Sequence, residues 1–105
     1  MIGKMCEDIS NWRKHKGFFT PSGLESQTDR DAMLGKLALV HSEVSEATEA
    51  VRHNDRENFA EEMADVCIRV FDICGTMGID LEQELKKKME KNEGREIRHG
   101  KATSL

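Results

Sequence analysis

The stretch DRENFAEEMADVCIRVFDICGTMG, residues 55–78, decides the fold of this chain. It begins with an aspartate that can cap a helix and ends with a glycine that can terminate one. Apolar side chains cover well over half of the circumference of the helix predicted between them. They are Phe59, Ala60, Met63, Ala64, Val66, Cys67, Ile68, Val70, Phe71, Ile73, Cys74 and Met77. A helix this apolar has to be buried on several sides, so it predicts a packed helical protein.

Helical periodicity and capping residues predict three further helices around this one. They are placed at about residues 2–16, from a cap at Asp29 or Asp31 to about residue 53, and from a cap at Asp80 to Gly94. The chain has one proline, no tyrosine and few β-branched runs, which disfavours a sheet. The predicted fold class is all-α, with a four-helix bundle-like protomer. Because one such protomer cannot cover the third helix, we expect a homo-oligomer.

Length and charge indicate one domain with an uneven surface. A chain of 105 residues has room for one core, so residues 1–105 are predicted to form a single domain. Residues 86–101 hold seven lysines and arginines against three glutamates, whereas the whole chain has a net charge of −4. We expect residues from about 94 to 105 to form an irregular basic tail. Such a segment is either a solvated helix end or a surface for a polyanion.

Cysteine usage and hydropathy indicate the cellular compartment of the protein. No window approaches the length of a membrane span, and the N-terminal residues lack the apolar core of a signal peptide. None of the three cysteines has the spacing of a zinc site. Cys67 and Cys74 fall on an apolar helix face, so we interpret them as small core residues in a reducing cytoplasm. We therefore expect a cytoplasmic protein with no membrane partner.

Two pairs of acidic residues, each pair three residues apart, lie on the second and third predicted helices. They are Glu43 with Glu46 and Glu62 with Asp65. Residues at this spacing are neighbours on a helix surface, so packing the two helices would bring four carboxylates together. Such pairs also arise by chance among 20 acidic residues, so their position carries the argument. They interrupt or border apolar faces of the two helices. Carboxylates clustered at such a place need cations to offset their repulsion and burial. Oxygen ligands suit Mg²⁺ or Mn²⁺ rather than zinc.

At these residues the chain resembles the MazG-like all-α nucleoside triphosphate pyrophosphohydrolases of the single-domain type. The family motif is Glu-x-x-Glu on one helix and Glu-x-x-Asp on the next, and here it reads EVSE at 43–46 and EMAD at 62–65. KMEKNEGREIRHGK, residues 88–101, is similar to the closing Lys-Asn-x-x-Arg…His-Gly-Lys segment of the family. NWRKHKGFFTP, residues 11–21, is similar to the entry of single-domain members. The resemblance covers nearly the whole chain.

The resemblance implies a metal-dependent reaction on nucleotides. The implied reaction is hydrolysis of a nucleoside or deoxynucleoside triphosphate between the α and β phosphates, in nucleotide-pool house-cleaning, by a dimer or a dimer of dimers. The implied catalytic ligands of Mg²⁺, for which Mn²⁺ can substitute, are Glu43, Glu46, Glu62 and Asp65. The residues implied to contact the triphosphate or to close the site, some across a subunit boundary, are Lys91, Asn92, Arg95 and Lys101.

Two other residues have alternative interpretations. Trp12 could bind substrate by stacking on the nucleobase, since related enzymes use aromatic residues of the N-terminal helix. It also falls on the predicted apolar face of the first helix with Ile2, Met5 and Ile9, and core packing is the preferred interpretation. Asp72 follows Asp65 by two helical turns and could support the site. The preferred interpretation of Asp72 is an ion pair with Arg69.

Rival functions come from other classes of protein. A non-enzymatic helical dimerisation or binding module, with the acidic residues as a solvated face, predicts that Mg²⁺ leaves stability unchanged. A di-iron carboxylate bundle needs Glu-x-x-His on two helices, and the only such spacing is Glu96 with His99 in the irregular tail. Nucleic-acid binding through residues 86–88 is disfavoured by the negative net charge and the scarcity of aromatic residues there. We therefore expect a nucleotide substrate and no stable nucleic-acid partner.

Overall fold

The computed structural model describes residues 1–94 of the chain. All regular secondary structure in this part is helical, in four elements. They are α1 (Ile2–His15), α2 (Gln27–Arg52), α3 (Arg56–Met77) and α4 (Leu81–Glu93). The predicted all-α class with four helices is confirmed. The predicted basic tail, apart from Gly94, lies outside the described residues, and none of the four helices is long and apolar enough to cross a membrane.

Local capping explains where three of the helices begin. Asp55 accepts a hydrogen bond from the backbone N–H of Asn58 at 3.0 Å, and Asp80 accepts one from that of Gln83 at the same distance. These two caps confirm the predicted starts of α3 and α4. The predicted cap of α2 at Asp29 or Asp31 is wrong, because the hydroxyl of Ser26 accepts from the backbone N–H of Asp29 at 3.0 Å. Asp29 instead lies in the first turn, where its negative charge favours the helix dipole.

Helix α3 is the centre of the protomer, since both α1 and α2 pack against it. Residues 53–55 are the short connection between α2 and α3, so these two helices form a hairpin and run in opposite directions. Gly78 ends α3 in the left-handed conformation, with φ of 67°, as the sequence predicts. Helix α4 contacts α1, where the Glu82 carboxylate accepts from the N-terminal amine and from the backbone N–H of Ile2.

Helices α1 and α3 approach each other closely at Gly75. A Cβ atom placed there would collide with the carbonyl oxygen of Cys6 and lie 2.8 Å from Cβ of Ser10. The Oγ of Ser10 is 2.7 Å from Oγ1 of Thr76, so a hydroxyl hydrogen bond joins the two helices beside this contact. The absence of a side chain at position 75 therefore sets the distance between α1 and α3.

The apolar core of the protomer is small. In residues 1–94 its buried apolar residues are Cys6, Pro21, Met33, Ala47, Ala50 and Cys74. The prediction of a core position is confirmed for Cys74 but wrong for Cys67, which is exposed. Large apolar side chains remain exposed on α2, among them Leu34 at 62% and Val51 at 61%, and Met63 and Ile68 of α3 are more than one third exposed. Because water contact with such side chains is unfavourable, these surfaces favour association with another copy of the chain. The homo-oligomer stays a prediction.

Candidate metal centre

The α2–α3 hairpin brings three of the predicted metal ligands together. Glu43 of α2 and Glu62 and Asp65 of α3 each offer one carboxylate oxygen, and these three oxygens lie within 4.8 Å of one another. Two oxygens on opposite sides of one Mg²⁺ are separated by about 4.2 Å, given Mg–O distances of about 2.1 Å. The three carboxylates therefore have the spacing and the hard oxygen donors that a divalent cation requires.

Glu62 has the most unusual environment of the three. Its residue is only 8% exposed, and its Oε2 is buried without a hydrogen-bond partner. Burial is the largest cause that raises the pKa of Glu62 to about 7, and the Glu46 carboxylate is the next cause. Smaller contributions come from Asp65 and Glu43. A buried carboxylate oxygen with no partner is costly, and coordination of a cation would satisfy it. The residues present therefore fit a metal ion.

Glu46 lies at the edge of this cluster. Its side chain is exposed, and its carboxylate is outside the group of three whose oxygens lie within 4.8 Å of one another. It is nevertheless close enough to Glu62 to raise the pKa of that residue. The structure thus places all four predicted ligands in one region but gathers only three of them tightly.

A pocket of about 260 Å³ adjoins the carboxylates and is lined by residues of α1, α2 and α3. Its lining residues are Trp12, Arg13, Glu43, Asp65, Ile68 and Arg69. Trp12 is 53% exposed, so its preferred interpretation as a core residue is wrong. The buried face of α1 consists of Cys6, Ser10 and Arg13, and Trp12 is rotated from Arg13 by about 100° around the helix. That rotation places the indole at the pocket instead of the core.

Sequence reasoning missed the partners of Asp72. Its Oδ2 accepts hydrogen bonds from Nε of Arg13 at 3.0 Å and from Oγ1 of Thr20 at 2.7 Å. The predicted ion pair between Asp72 and Arg69 is wrong, because Arg69 turns toward Glu43, with Nη2 3.7 Å from Oε1. Asp72 shares a polar stripe of α3 with Glu62, Asp65 and Arg69, and this position was the available signal. Its partners are 52 and 59 residues away, beyond the reach of helical periodicity.

The predicted substrate contacts on α4 are separate from this pocket. Lys91 and Asn92 lie in the last turn of α4, and neither lines the pocket of Trp12 and Glu43. Lys91 lines a different pocket with Glu84, Lys87 and Lys88, and Oδ1 of Asn92 is buried without a hydrogen-bond partner. Arg95 and Lys101 lie outside the described residues.

Comparison with known proteins agrees with this geometry. The sequence model of the MazG nucleotide pyrophosphohydrolase domain matches residues 33–99, which is more than half of the chain. The match contains both acidic pairs. It begins after α1 and therefore leaves out Trp12, and it ends before Lys101. No curated protein and no solved structure matches the chain. Proteins with this domain act on nucleotides and generally depend on a divalent metal. The chain belongs to the MazG nucleotide pyrophosphohydrolase family.

Proposed function

We propose that the protein hydrolyses nucleoside or deoxynucleoside triphosphates between the α and β phosphates and releases the monophosphate and pyrophosphate. The observation that carries this proposal is the buried, unpartnered Oε2 of Glu62 beside Glu43 and Asp65, in a chain of the MazG family. Mg²⁺ is the proposed cofactor, with Mn²⁺ able to replace it, because all donors are carboxylate oxygens. Removal of unwanted nucleotides from the cellular pool is the proposed role.

The four acidic residues would hold the metal and handle a proton. A divalent cation bound there would neutralise phosphate oxygens and orient the attacking water. Glu43, Glu62 and Asp65 are the proposed first ligands because of their proximity. Glu46 is proposed to complete the ligand set or to accept the proton of water, which its exposure and its proximity to Glu62 support.

Trp12 and the C-terminal basic residues would bind the substrate. The exposed indole lines the same pocket as Glu43 and Asp65, which supports stacking on the nucleobase. Lys91, Asn92, Arg95 and Lys101 are proposed to contact the phosphates. Because α4 packs against α1 and does not line the pocket, contacts from Lys91 and Asn92 are proposed to come from a second subunit.

This assembly would be a homo-oligomer in the cytoplasm. The exposed apolar side chains of α2 and α3 supply surfaces for a dimer or a dimer of dimers. All three cysteines are free, as expected in a reducing compartment. The alternative of a non-enzymatic dimerisation module is not favoured, because it leaves the buried carboxylate of Glu62 and the family membership without an explanation.

The direct test is pyrophosphate release from a panel of canonical and modified nucleoside triphosphates, with Mg²⁺ and with EDTA. Asp65→Asn and Glu46→Gln preserve side-chain shape and should reduce activity by orders of magnitude. Glu49→Gln is the matched control on α2, since its carboxylate is exposed and pairs with Arg52 at 2.8 Å, and it should stay active. Full activity of both site variants would remove these residues from the mechanism. A wild-type protein that releases no pyrophosphate from any member of the panel would refute the function.

A further inference from the structure

Charge changes sign along the groove that leads away from the carboxylates. The polar stripe of α3 runs from Glu62 and Asp65 to Arg69, at steps of three or four residues that keep the side chains on one face. On α2, Lys36 precedes Glu43 by seven residues, which is two turns and about 10 Å along the same face. The two helices run in opposite directions, so Lys36 of α2 and Arg69 of α3 lie on the same side of the acidic residues. One end of the groove is therefore acidic and the other end is basic.

Arg13 and Arg69 line the same pocket, and Lys36 is near enough to both for their charges to affect the pKa of its ammonium group. Lys36 is partly buried, and burial is the largest cause that lowers the pKa of its ammonium group. Repulsion by the Arg13 guanidinium is the next cause, and Arg69 adds a smaller one. Asp72 acts in the opposite direction without cancelling them. Three cations therefore face two carboxylates here, since Arg13 pairs with Asp72 and Arg69 with Glu43.

Two of these cations have unused hydrogen-bonding capacity. Within residues 1–94, Lys36 has no hydrogen bond or ion pair of its own. Arg69 has a side chain that is 28% exposed, and its ion pair with Glu43 spans 3.7 Å. That distance exceeds the usual length of a charge-assisted hydrogen bond, about 2.7–2.9 Å. Glu43 also belongs to the carboxylate cluster, so a cation bound there would compete with Arg69 for it.

Two contacts hold the side chain of Arg13. Its Nε donates to Asp72, and its guanidinium lies over the ring of Phe18 at 4.5 Å from the centroid. Arg13 lines the same pocket as Arg69, and in the described part of the chain its Nη atoms have no hydrogen-bond partner. A guanidinium held through Nε keeps its two Nη groups available for an oxyanion.

We propose that Lys36 and Arg69, with Arg13 positioned by Asp72, form an anion subsite that binds a phosphate group of the substrate next to the carboxylate cluster. This inference rests on the proposed function and specifies how the triphosphate lies: along the α2–α3 groove, from the acidic end toward the basic end. The ligand chemistry is that of a polyphosphate, whose oxygens accept several hydrogen bonds from lysine and arginine. The subsite belongs to the same protomer as the carboxylates and contains no residue of α4.

A simpler role for Arg69 makes the opposite prediction. If Arg69 only neutralises Glu43 in the metal-free protein, Arg69→Gln would tighten binding of Mg²⁺ alone and leave polyphosphate binding unchanged. If it belongs to an anion subsite, Arg69→Gln would weaken polyphosphate binding. The two roles therefore separate in one pair of titrations.

The experiment is calorimetric titration of the full chain, first with Mg²⁺ alone and then with inorganic tripolyphosphate at saturating Mg²⁺. Lys36→Gln and Arg69→Gln should each weaken tripolyphosphate binding by roughly tenfold or more, as expected for the loss of a hydrogen bond to a charged group. Neither variant should weaken binding of Mg²⁺ alone. Arg69→Lys should recover part of the affinity because it retains the charge. Arg52→Gln, which removes an exposed arginine at the end of α2, is the matched control and should bind as the wild type does.

Two results of these titrations would overturn the subsite. One is wild-type affinity for tripolyphosphate in both Lys36→Gln and Arg69→Gln, and the other is a wild-type protein that does not bind tripolyphosphate at saturating Mg²⁺. The outcome is separable from that of the proposed function. Normal pyrophosphate release with unaltered KM in both variants refutes the subsite alone. Charge-dependent tripolyphosphate binding by a protein that hydrolyses no triphosphate refutes the function and supports the subsite.

Discussion

Arg13 and Asp72 form an ion pair between α1 and α3, with Nε 3.0 Å from Oδ2 and with side chains only 9% and 3% exposed. The same oxygen accepts a hydrogen bond from the hydroxyl of Thr20, so the Asp72 carboxylate also binds the segment between α1 and α2. The pair borders the candidate site because Arg13 lines its pocket. The pair therefore joins α1 to α3 together with the Ser10–Thr76 hydrogen bond, and it holds one of the side chains that line the pocket.

Asp72→Asn should destabilise the protein by about 3 kcal/mol, because it leaves the buried guanidinium of Arg13 without a compensating charge. Urea unfolding monitored by circular dichroism gives the free energy of unfolding. Asp8→Asn is the control, since Asp8 pairs with Lys4 at the same 3.0 Å but on the exposed surface, where solvent screens the charges, and its loss should cost much less. Equal effects of the two substitutions would show that burial adds nothing to the Arg13–Asp72 pair.

Gly75→Ala should lower the melting temperature even though alanine favours helices over glycine by roughly 0.5–1 kcal/mol. The added Cβ would collide with the carbonyl oxygen of Cys6, which is backbone and can retreat only if α1 shifts. Gly35→Ala is the matched control within α2, because a Cβ there meets nothing within 4 Å. It should raise the melting temperature. A stabilised Gly75→Ala variant would mean that α1 moves away from α3 at little cost.

These contacts indicate what sequence can predict in this fold. Asp55, Asp80 and Gly78 were assigned correctly because a cap acts on its own helix within a few residues. The proximity of the acidic pairs also followed from local spacing and a short connection. For α2, several capping residues occur in succession, and local rules do not distinguish Ser26 from the aspartates after it.

The buried face of α1 was not predictable in the same way. Its apolar periodicity favoured the face of Met5 and Trp12, whereas the structure buries the face with Ser10 and Arg13. Those two polar residues can be buried because Thr76 and Asp72 satisfy them. The partners are 66 and 59 residues distant in sequence, and hydrophobic periodicity contains no information about such pairs.

The protein should be a dimer or larger assembly at micromolar concentration. Leu34 and Val51 of α2 are each more than 60% exposed in the protomer, and apolar side chains of α3 are also accessible. Covering them would remove unfavourable contact with water. Light scattering coupled to size-exclusion chromatography measures the mass directly. A stable monomer would refute the assembly and, with it, the contribution of Lys91 and Asn92 from a second subunit.

Stability of the metal-free protein should depend on pH through Glu62. Its pKa is about 7 in the folded protein and 4.5 for the free side chain, so between these values the native state retains a proton that the unfolded state has released. The resulting stabilisation is fully present below pH 4.5 and is lost as the pH rises through 7. Glu62→Gln removes this titration. Its stability in EDTA, relative to that of the wild type, should therefore increase from pH 4.5 to pH 8, and a constant difference would contradict the raised pKa.

Mg²⁺ should stabilise the wild-type protein, because a cation that binds only the folded state shifts the equilibrium toward it. At a concentration of one hundred times its Kd, the gain in free energy of unfolding is about 2.7 kcal/mol. Asp65→Asn removes one of the three converging carboxylates and should show a much smaller gain, whereas Glu49→Gln should respond as the wild type does. The measurement is the melting temperature in EDTA and in millimolar Mg²⁺ at one fixed protein concentration, since association of subunits also changes it. An identical melting temperature in both solutions would favour the non-enzymatic module, because four clustered carboxylates that bind no cation are then only a charged surface.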